Sequence, residues 1–394
     1  MKLVDLRATP LSIPFVKPLI WPFGSQDGIT LVLVELETDD GLVGVGESSV
    51  IHRPVEATLA VIESARAYLR DEDPFNTERI AKKLRVLGGW QWSRGFANRA
   101  LSGIEAALWD LIGKACRQPL YKLLGGAIRK EIAVIKVLLH DEPAAMAAVA
   151  HQAVVEGYDT LYLKYTTIPA LLERLEAIRA AVGDAPKLRI DFNQTLSPGF
   201  AVALCNNELR TYNLEFIEQP IQAANLEGLA HVRRSVGVPV AADESCQHMY
   251  QAFNVIRAEA ADVIHINPRM HDNLWDVKKT AGMAEAAGLP VVGQSLVEGG
   301  AAQALMLHVI ASTPNFILAN QCMYDNLAGD YLTARLPIVR GHMRVPEGPG
   351  LGVTVDADRV QEYADHFRAV GTYSVFNTPQ EELPTIPVRG LPSY

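Results

Sequence analysis

Three acidic residues recur at a regular interval in the second half of the chain: Asp191 in Asp191-Phe192-Asn193, Glu218 in Glu218-Gln219-Pro220 and Asp243 in Asp243-Glu244-Ser245. Each closes a short apolar segment. The segment before them ends in Tyr162-Leu163-Lys164, the next in His265-Ile266-Asn267, and the one after is followed by Gln294-Ser295 and Glu298. If these segments are parallel strands of one barrel, their C-terminal ends share a mouth and the three acids meet there. Three carboxylates at one point cannot all stay ionised without a compensating cation. A hard divalent ion with oxygen ligands answers that need, and Mg²⁺ keeps positions open for water or substrate. Taken singly, each acid is as well explained as a helix N-cap; their joint spacing, beside Lys164, favours one ion per subunit, Mg²⁺ with Mn²⁺ as the alternative.

The elements that must position these residues form a repeating alternation from about residue 132. Strand candidates are Ile132–Leu139, Thr160–Lys164, Leu188–Phe192, Glu215–Ile217, Val238–Ala242, Val263–Ile266, Pro290–Val292 and Phe316–Leu318. Their centres fall roughly 24–27 residues apart, the length of a strand, a helix and two short loops. Asp141-Glu142-Pro143 opens an Ala-rich helix that Gly157 closes, Pro198 opens another and Gly288 ends a third. Eight such units predict an α/β fold, a parallel (β/α)₈ barrel, rather than an open doubly wound sheet. No Gly-x-Gly-x-x-Gly follows the first strand, which counts against dinucleotide binding.

Residues 1–128 read differently. Lys2–Ile13, Thr30–Thr38 and Leu42–Glu47, with a turn at Asp39-Asp40-Gly41, predict an antiparallel meander. A helix over Ala97–Lys114 places Leu101, Ile104, Ala107, Leu108, Leu111 and Ile112 on one face. The expected organisation is an α+β capping domain (1–128), the barrel with its metal site (129–347) and a C-terminal segment (348–394) returning to the cap.

Composition narrows the function classes. The 394 residues are 49% apolar and 21% charged, with no apolar run long enough to span a membrane. The start lacks the pattern of a secretory signal. A net charge of −9 argues against binding a nucleic-acid backbone. Cys116, Cys205, Cys246 and Cys322 have no CxxC spacing, so neither a disulfide framework nor a thiolate zinc site is expected. A reduced, cytoplasmic setting and a small-molecule substrate follow as expectations.

With Ile104-Glu105-Ala106-Ala107-Leu108-Trp109-Asp110, Lys114, Pro119–Gly126 and the three acidic motifs, the chain resembles the enolase superfamily over nearly its whole length. The resemblance is to the mandelate racemase / muconate lactonizing enzyme family, and Asp243-Glu244-Ser245 with Glu298-Gly299-Gly300 looks closer to the muconate lactonizing side. It implies a capping domain on a modified barrel and a Mg²⁺ held by Asp191, Glu218 and Asp243. It further implies a substrate carboxylate on that ion and a base that removes the adjacent proton to give an enediolate. Such a proton is weakly acidic, and a divalent ion supplies the preorganised field that makes its removal feasible. Members of the family form dimers or octamers, so a homo-oligomer is expected.

The departures bear on the reaction. Muconate lactonizing-type members carry Lys-x-Lys where this chain has Tyr162-Leu163-Lys164. Lys164 matches the catalytic lysine, and a nearby cation and burial should lower its pKa. Tyr162 is either a barrel-filling aromatic or a hydrogen-bonding partner or acid for Lys164. At the sixth strand relatives place an opposite-face lysine; here stands Asn267, which cannot take a proton but can donate a hydrogen bond. No histidine replaces it after the seventh strand. His265, deeper in the barrel, and His271, on the following loop, are secondary acid–base candidates, and Asn193, Glu244 and Glu298 supporting residues at the mouth. The resemblance assigns substrate contact to loops bearing Trp21, Phe23 and His52, with Trp90–Arg94 adding to them. A single base on one face favours syn β-elimination of a small hydroxy or sugar acid, then cycloisomerisation, over racemisation. A metal-binding relative that has lost turnover is the competing class.

Overall fold

The computed structural model describes residues 1–21, 24–50, 54–139 and 142–373. In the cap, β1 (Leu3–Trp21) and β2 (Gly24–Thr38) form a long antiparallel hairpin, and β3 (Val43–Ser49) pairs with the other edge of β2. Alternation along β2 divides its side chains between two cores, because successive residues face opposite sides of a sheet. Val32, Val34 and Leu36 pack under the cap helices α1 (Val55–Leu69), α2 (Thr77–Leu87) and α3 (Arg94–Ala115). Leu31 and Leu33 belong to the core that continues into the barrel.

Helix α3 is the second bridge. Leu101, Ile104, Ala107, Leu108 and Leu111 face the cap core as the periodicity predicts, whereas Ile112 joins Ala106 and Trp109 on the barrel side. The helix lies so close to β3 that a Cβ on Gly46 would sit 2.0 Å from the Gly103 carbonyl oxygen. Only glycine permits that approach.

Among the described residues the barrel has seven parallel strands in sequential order: β5 (Lys136–Leu138), β6 (Thr160–Lys164), β7 (Lys187–Asp191), β8 (Leu214–Glu218), β9 (Val240–Ala242), β10 (Val263–Ile266) and β11 (Val291–Gly293). The expected first strand divides. Its beginning, β4 (Glu131–Ala133), pairs with β13 (His342–Arg344), which pairs with β12 (Ile338–Val339).

The expected eighth strand, Phe316–Leu318, is not a strand among the described residues. Ile317 is 69% exposed, although Leu318 packs inside the barrel against Phe216, Ala241, Val263 and Val292. Closure falls instead on Asn320 and Gln321. Asn320 N–H donates to the Ala133 carbonyl at 2.8 Å, its carbonyl accepts from Ile135 N–H at 3.0 Å, and Gln321 N–H donates to Gly293 at 2.8 Å. The Asn320 side-chain oxygen accepts from Gly293 N–H, so an amide side chain stands in for ladder bonds that a regular strand would make. Apolar composition located the segment but not its hydrogen bonds.

Helices Pro143–Val155 and Pro198–Asn207 begin at the prolines, and Leu274–Ala286 ends just before Gly288. The late helix Ala357–Val370 lies along the cap, where Ser12 Oγ donates to the Gly371 carbonyl and Tyr373 N–H to Thr30 Oγ1. Among the described residues, no helix is long and apolar enough to cross a membrane.

Candidate active site and metal centre

Parallel register brings the strand ends to one height: Lys164 pairs with Asp191, and Asp191 with Glu218. Asp243 follows β9 directly. Its backbone N–H and that of Ser245 both donate to the buried Gln219 side chain, at 3.0 and 3.1 Å, while Gln219 donates to Ser245 Oγ at 2.8 Å. One amide thus ties the β8 and β9 loops and sets the position of Asp243. Asn193, Gln194, Gln219 and Val297 all hold positive φ values (42°, 69°, 36° and 57°) at this mouth. Non-glycine residues adopt that conformation at a cost, and such residues cluster at functional sites.

Tyr162 and Lys164 converge on Asp191. The Tyr162 hydroxyl lies 2.8 Å from Asp191 Oδ2 and 3.1 Å from Glu218 Oε2. Lys164 Nζ donates to Asp191 Oδ2 and, at 3.3 Å, to Asn193 Oδ1, and Asp191 Oδ1 accepts from Asn193 N–H. Tyr162 is therefore a bridge between two carboxylates. Glu244 accepts from the Asn193 and Gln194 amides at 3.3 and 3.2 Å, and its other oxygen is buried without a partner. Gln321, which sequence reasoning missed, donates to Glu218 Oε2 at 2.8 Å and reaches the Tyr162 hydroxyl at 3.2 Å. The signal that could have found it was the end of the eighth barrel position, obscured because the apolar triplet stops at Leu318.

The electrostatics are unbalanced. Asp191, Glu218, Asp243 and Glu244 share a buried patch with Lys164. Burial, then the charges of Asp191 and Asp243, pushes the Glu218 carboxyl well up. Burial, then Glu244 and Asp191, does the same to Asp243, and Glu244 rises to about 7 through burial and then Asp191. Arg99, from α3, opposes the rise at Asp243 and is a second residue that sequence reasoning passed over. Burial acts to lower the Lys164 pKa, but Asp191 and Glu218 outweigh it and hold the ammonium above its ordinary value. Burial thus acts in the direction expected from sequence, and the uncompensated carboxylate charges act against it. The Tyr162 hydroxyl is pushed well up by burial and the same two acids. An oxygen-rich cluster of excess negative charge fits a divalent cation. One donor atom each from Glu218, Asp243 and His265 lie within 4.8 Å of one another. Asp191 stands beside that trio, engaged by Lys164 and Tyr162.

On the opposite side of the mouth two acids share one guanidinium, and burial pushes the Glu47 carboxyl up to about 7, but every carboxylate oxygen has a partner. Asn267 donates to the Gln294 carbonyl at 2.7 Å, to Gln294 Oε1 at 3.2 Å and to Glu298 Oε1 at 3.0 Å, and accepts from Arg269 N–H. Arg269, 1% exposed, pairs with Glu298 at 2.6 Å and with Glu47 of β3 at 2.9 Å. Glu298 also accepts from Leu296 N–H and Ser295 Oγ, and Glu47 from Tyr331 and Gly299 N–H. Glu298 is thus placed in a tie between barrel and cap. Neither Glu47 nor Arg269 was singled out from sequence.

His265 lies deep in the barrel, as its position two residues before Asn267 implies. Burial, Arg189 and Lys164 push its pKa to about 3. His271 is buried with Nδ1 3.1 Å from the Asn267 carbonyl, and burial pushes it to about 4. The side chain of Trp21, together with Phe23 and His52, lies outside the described residues. Of the adjoining stretch, Trp92 is 84% exposed and Arg94 pairs with Asp272.

Known proteins share this fold. The family model described as "Mandelate racemase / muconate lactonizing enzyme, N-terminal domain" matches residues 6–125, and "Enolase C-terminal domain-like" matches residues 145–359. An N-succinyl-L-Arg/Lys racemase of Bacillus cereus is 27% identical over 92% of this chain and 98% of its own. A hydrophobic dipeptide epimerase of Enterococcus faecalis is 30% identical over 90% of this chain and 100% of its own. The crystal structure of an enolase from Streptomyces coelicolor superposes with a TM-score of 0.86 at 29% identity, covering 94% of this chain and 99% of that one. Other relatives are named as an arabinonate dehydratase and chloromuconate cycloisomerases. The two family models, the fold and the full-length similarity agree: the chain belongs to the mandelate racemase / muconate lactonizing enzyme family of the enolase superfamily.

Proposed function

We propose that this enzyme removes the proton α to the carboxylate of a small hydroxy or sugar acid, with Lys164 as a base on one face, and completes a syn β-elimination. Asp191, Glu218 and Asp243 would hold a divalent ion, Mg²⁺ in the first instance. When bound, that ion supplies positive charge to the substrate carboxylate and makes its α-proton acidic enough to remove. With the charges of Asp191 and Glu218 compensated, Lys164 loses the attraction that holds it protonated, while burial still favours the neutral amine. Lys164 then takes the proton and, on the same face, returns it to the departing hydroxyl as water leaves. Tyr162, fixed between Asp191 and Glu218, holds their oxygens in place. Asn193 positions the amine and Glu244 orients Asn193.

The observation that carries this reading is the asymmetry of the mouth. Lys164 reaches the acidic cluster from one side; across from it, Asn267 has its amide hydrogens engaged by Gln294 and Glu298. Epimerisation is the second reading, favoured by the racemase and epimerase names of relatives; it needs a proton donor on the other face. The test is α-proton exchange of candidate acids in heavy water, followed by product analysis. Exchange with elimination, lost in Lys164→Ala, supports the proposal. Exchange retained in that variant removes Lys164 as the base, and epimeric product removes the one-face mechanism. Failure of any library acid to exchange supports a metal-binding protein without turnover.

A further inference from the structure

We propose that His265 contributes a nitrogen ligand to the ion held by Glu218 and Asp243, giving a mixed oxygen–nitrogen site that favours Mn²⁺ over Mg²⁺. The inference deepens the functional reading and rests on it, because an ion must occupy the acidic cluster. Three observations carry it. One donor atom of His265 lies within 4.8 Å of carboxylate oxygens of both Glu218 and Asp243. Its Nδ1 stands 3.6 Å from Glu218 Oε1, beyond hydrogen-bond distance, and the Gln321 amide reaches it only at 3.5 Å. Its Nε2 is buried with no hydrogen-bond partner.

A histidine packed merely to fill the barrel would have its ring nitrogens satisfied, since buried polar groups are almost always hydrogen-bonded. This one makes a single contact at the outer limit of hydrogen bonding, beside two carboxylates that repel each other. Asp191 completes the contrast. Its Oδ1 accepts from Asn193 N–H and its Oδ2 from Lys164 and Tyr162, so the freer donors around the ion are those of Glu218, Asp243 and His265. Imidazole suits first-row transition ions, whereas Mg²⁺ prefers oxygen donors throughout. The ring also packs against Phe216 in a T-shaped pair, 5.8 Å between centroids.

The experiment is pulsed electron paramagnetic resonance on the full chain loaded with Mn²⁺, with calorimetric titration of Mn²⁺ and Mg²⁺ alongside. The unsubstituted protein should show nitrogen hyperfine coupling of a directly bound imidazole. His265→Asn should abolish it and lower the Mn²⁺-to-Mg²⁺ affinity ratio by about tenfold, while Mn²⁺ still binds. Mn²⁺ bound without nitrogen coupling, or coupling that persists in His265→Asn, overturns the inference and leaves the oxygen site standing. Absence of Mn²⁺ binding to the unsubstituted protein overturns both. Because the primary readout needs no variant, a destabilised His265→Asn does not shelter the idea.

Discussion

The two sides of the barrel mouth are built from the same kinds of side chain to opposite ends. Along β6–β9, Asp191, Glu218, Asp243 and Glu244 crowd around Lys164, the carboxyl pKa values of the latter three are driven upward, and a Glu244 oxygen is left bare. After β10 and β11, Arg269 and Glu298 meet Glu47 of β3; burial raises the Glu47 carboxyl to about 7 as well, but both oxygens of each carboxylate are engaged. A buried acidic cluster that leaves an oxygen without a partner costs stability and is retained where something must bind; one whose oxygens are all engaged is a structural tie. The comparison teaches that the side of the mouth bearing Asn267 holds cap and barrel together, through Arg269, Glu298 and Glu47.

The largest effect that tests this contrast is catalytic. Lys164→Ala should lower turnover by roughly 10³-fold, within the range of a lost general base, while circular dichroism of the Mn²⁺-loaded protein, whose acids the ion compensates, stays close to the parent's. A collapse of the fold instead would make Lys164 a structural residue like Arg269. Next, Arg269→Met should destabilise by about 3–5 kcal/mol, because it strands two buried carboxylates. Denaturant unfolding measures this, and a loss below ~1 kcal/mol would refute the tie.

The third effect depends on pH. His308, on the helix Gly300–Ala311, accepts from Tyr121 N–H at 3.2 Å and lies 3.1 Å from the Leu351 carbonyl, and burial pushes its pKa down to about 4. Its folded-state pKa lies below the unfolded value near 6.5, so its contribution is intact above pH 6.5 and is lost as pH falls towards 4. That loss reaches roughly 3 kcal/mol, and stability profiles of the parent and His308→Gln should converge at the acid end. Parallel profiles would show that His308 does not titrate with unfolding.

The smallest effect has the opposite sign. Asp243→Asn should stabilise the metal-free protein by about 1 kcal/mol, by relieving repulsion among buried acids, yet weaken Mn²⁺ binding in calorimetry. Destabilisation of the metal-free variant would mean that the cluster is already balanced.

Much of this molecule was legible from local pattern. The strand–helix repeat, the turn at Asp39–Gly41 and most of the cap-facing stripe of α3 follow from periods of two and of 3.6 residues, which neighbouring residues express on their own. The eighth barrel position was misplaced because Phe316–Leu318 has the composition of a strand, while closure runs through the side chain of Asn320. Gln321, displaced with it, was missed as a partner of Glu218. Asn267 was weighed as a substrate donor because its type allows that; its amide is engaged by Gln294 and Glu298, acceptors 27 and 31 residues further along.

The order and spacing of Asp191, Glu218 and Asp243 were determined by sequence alone, since one strand–helix unit separates each from the next and parallel pairing then aligns their ends. Tertiary structure alone decided which charges are compensated. Arg269 meets Glu47 across 222 residues, and His265 meets Glu218 and Asp243 only because the sheet curls. Compensation depends on distance and burial in space, and a linear chain specifies neither until it has closed.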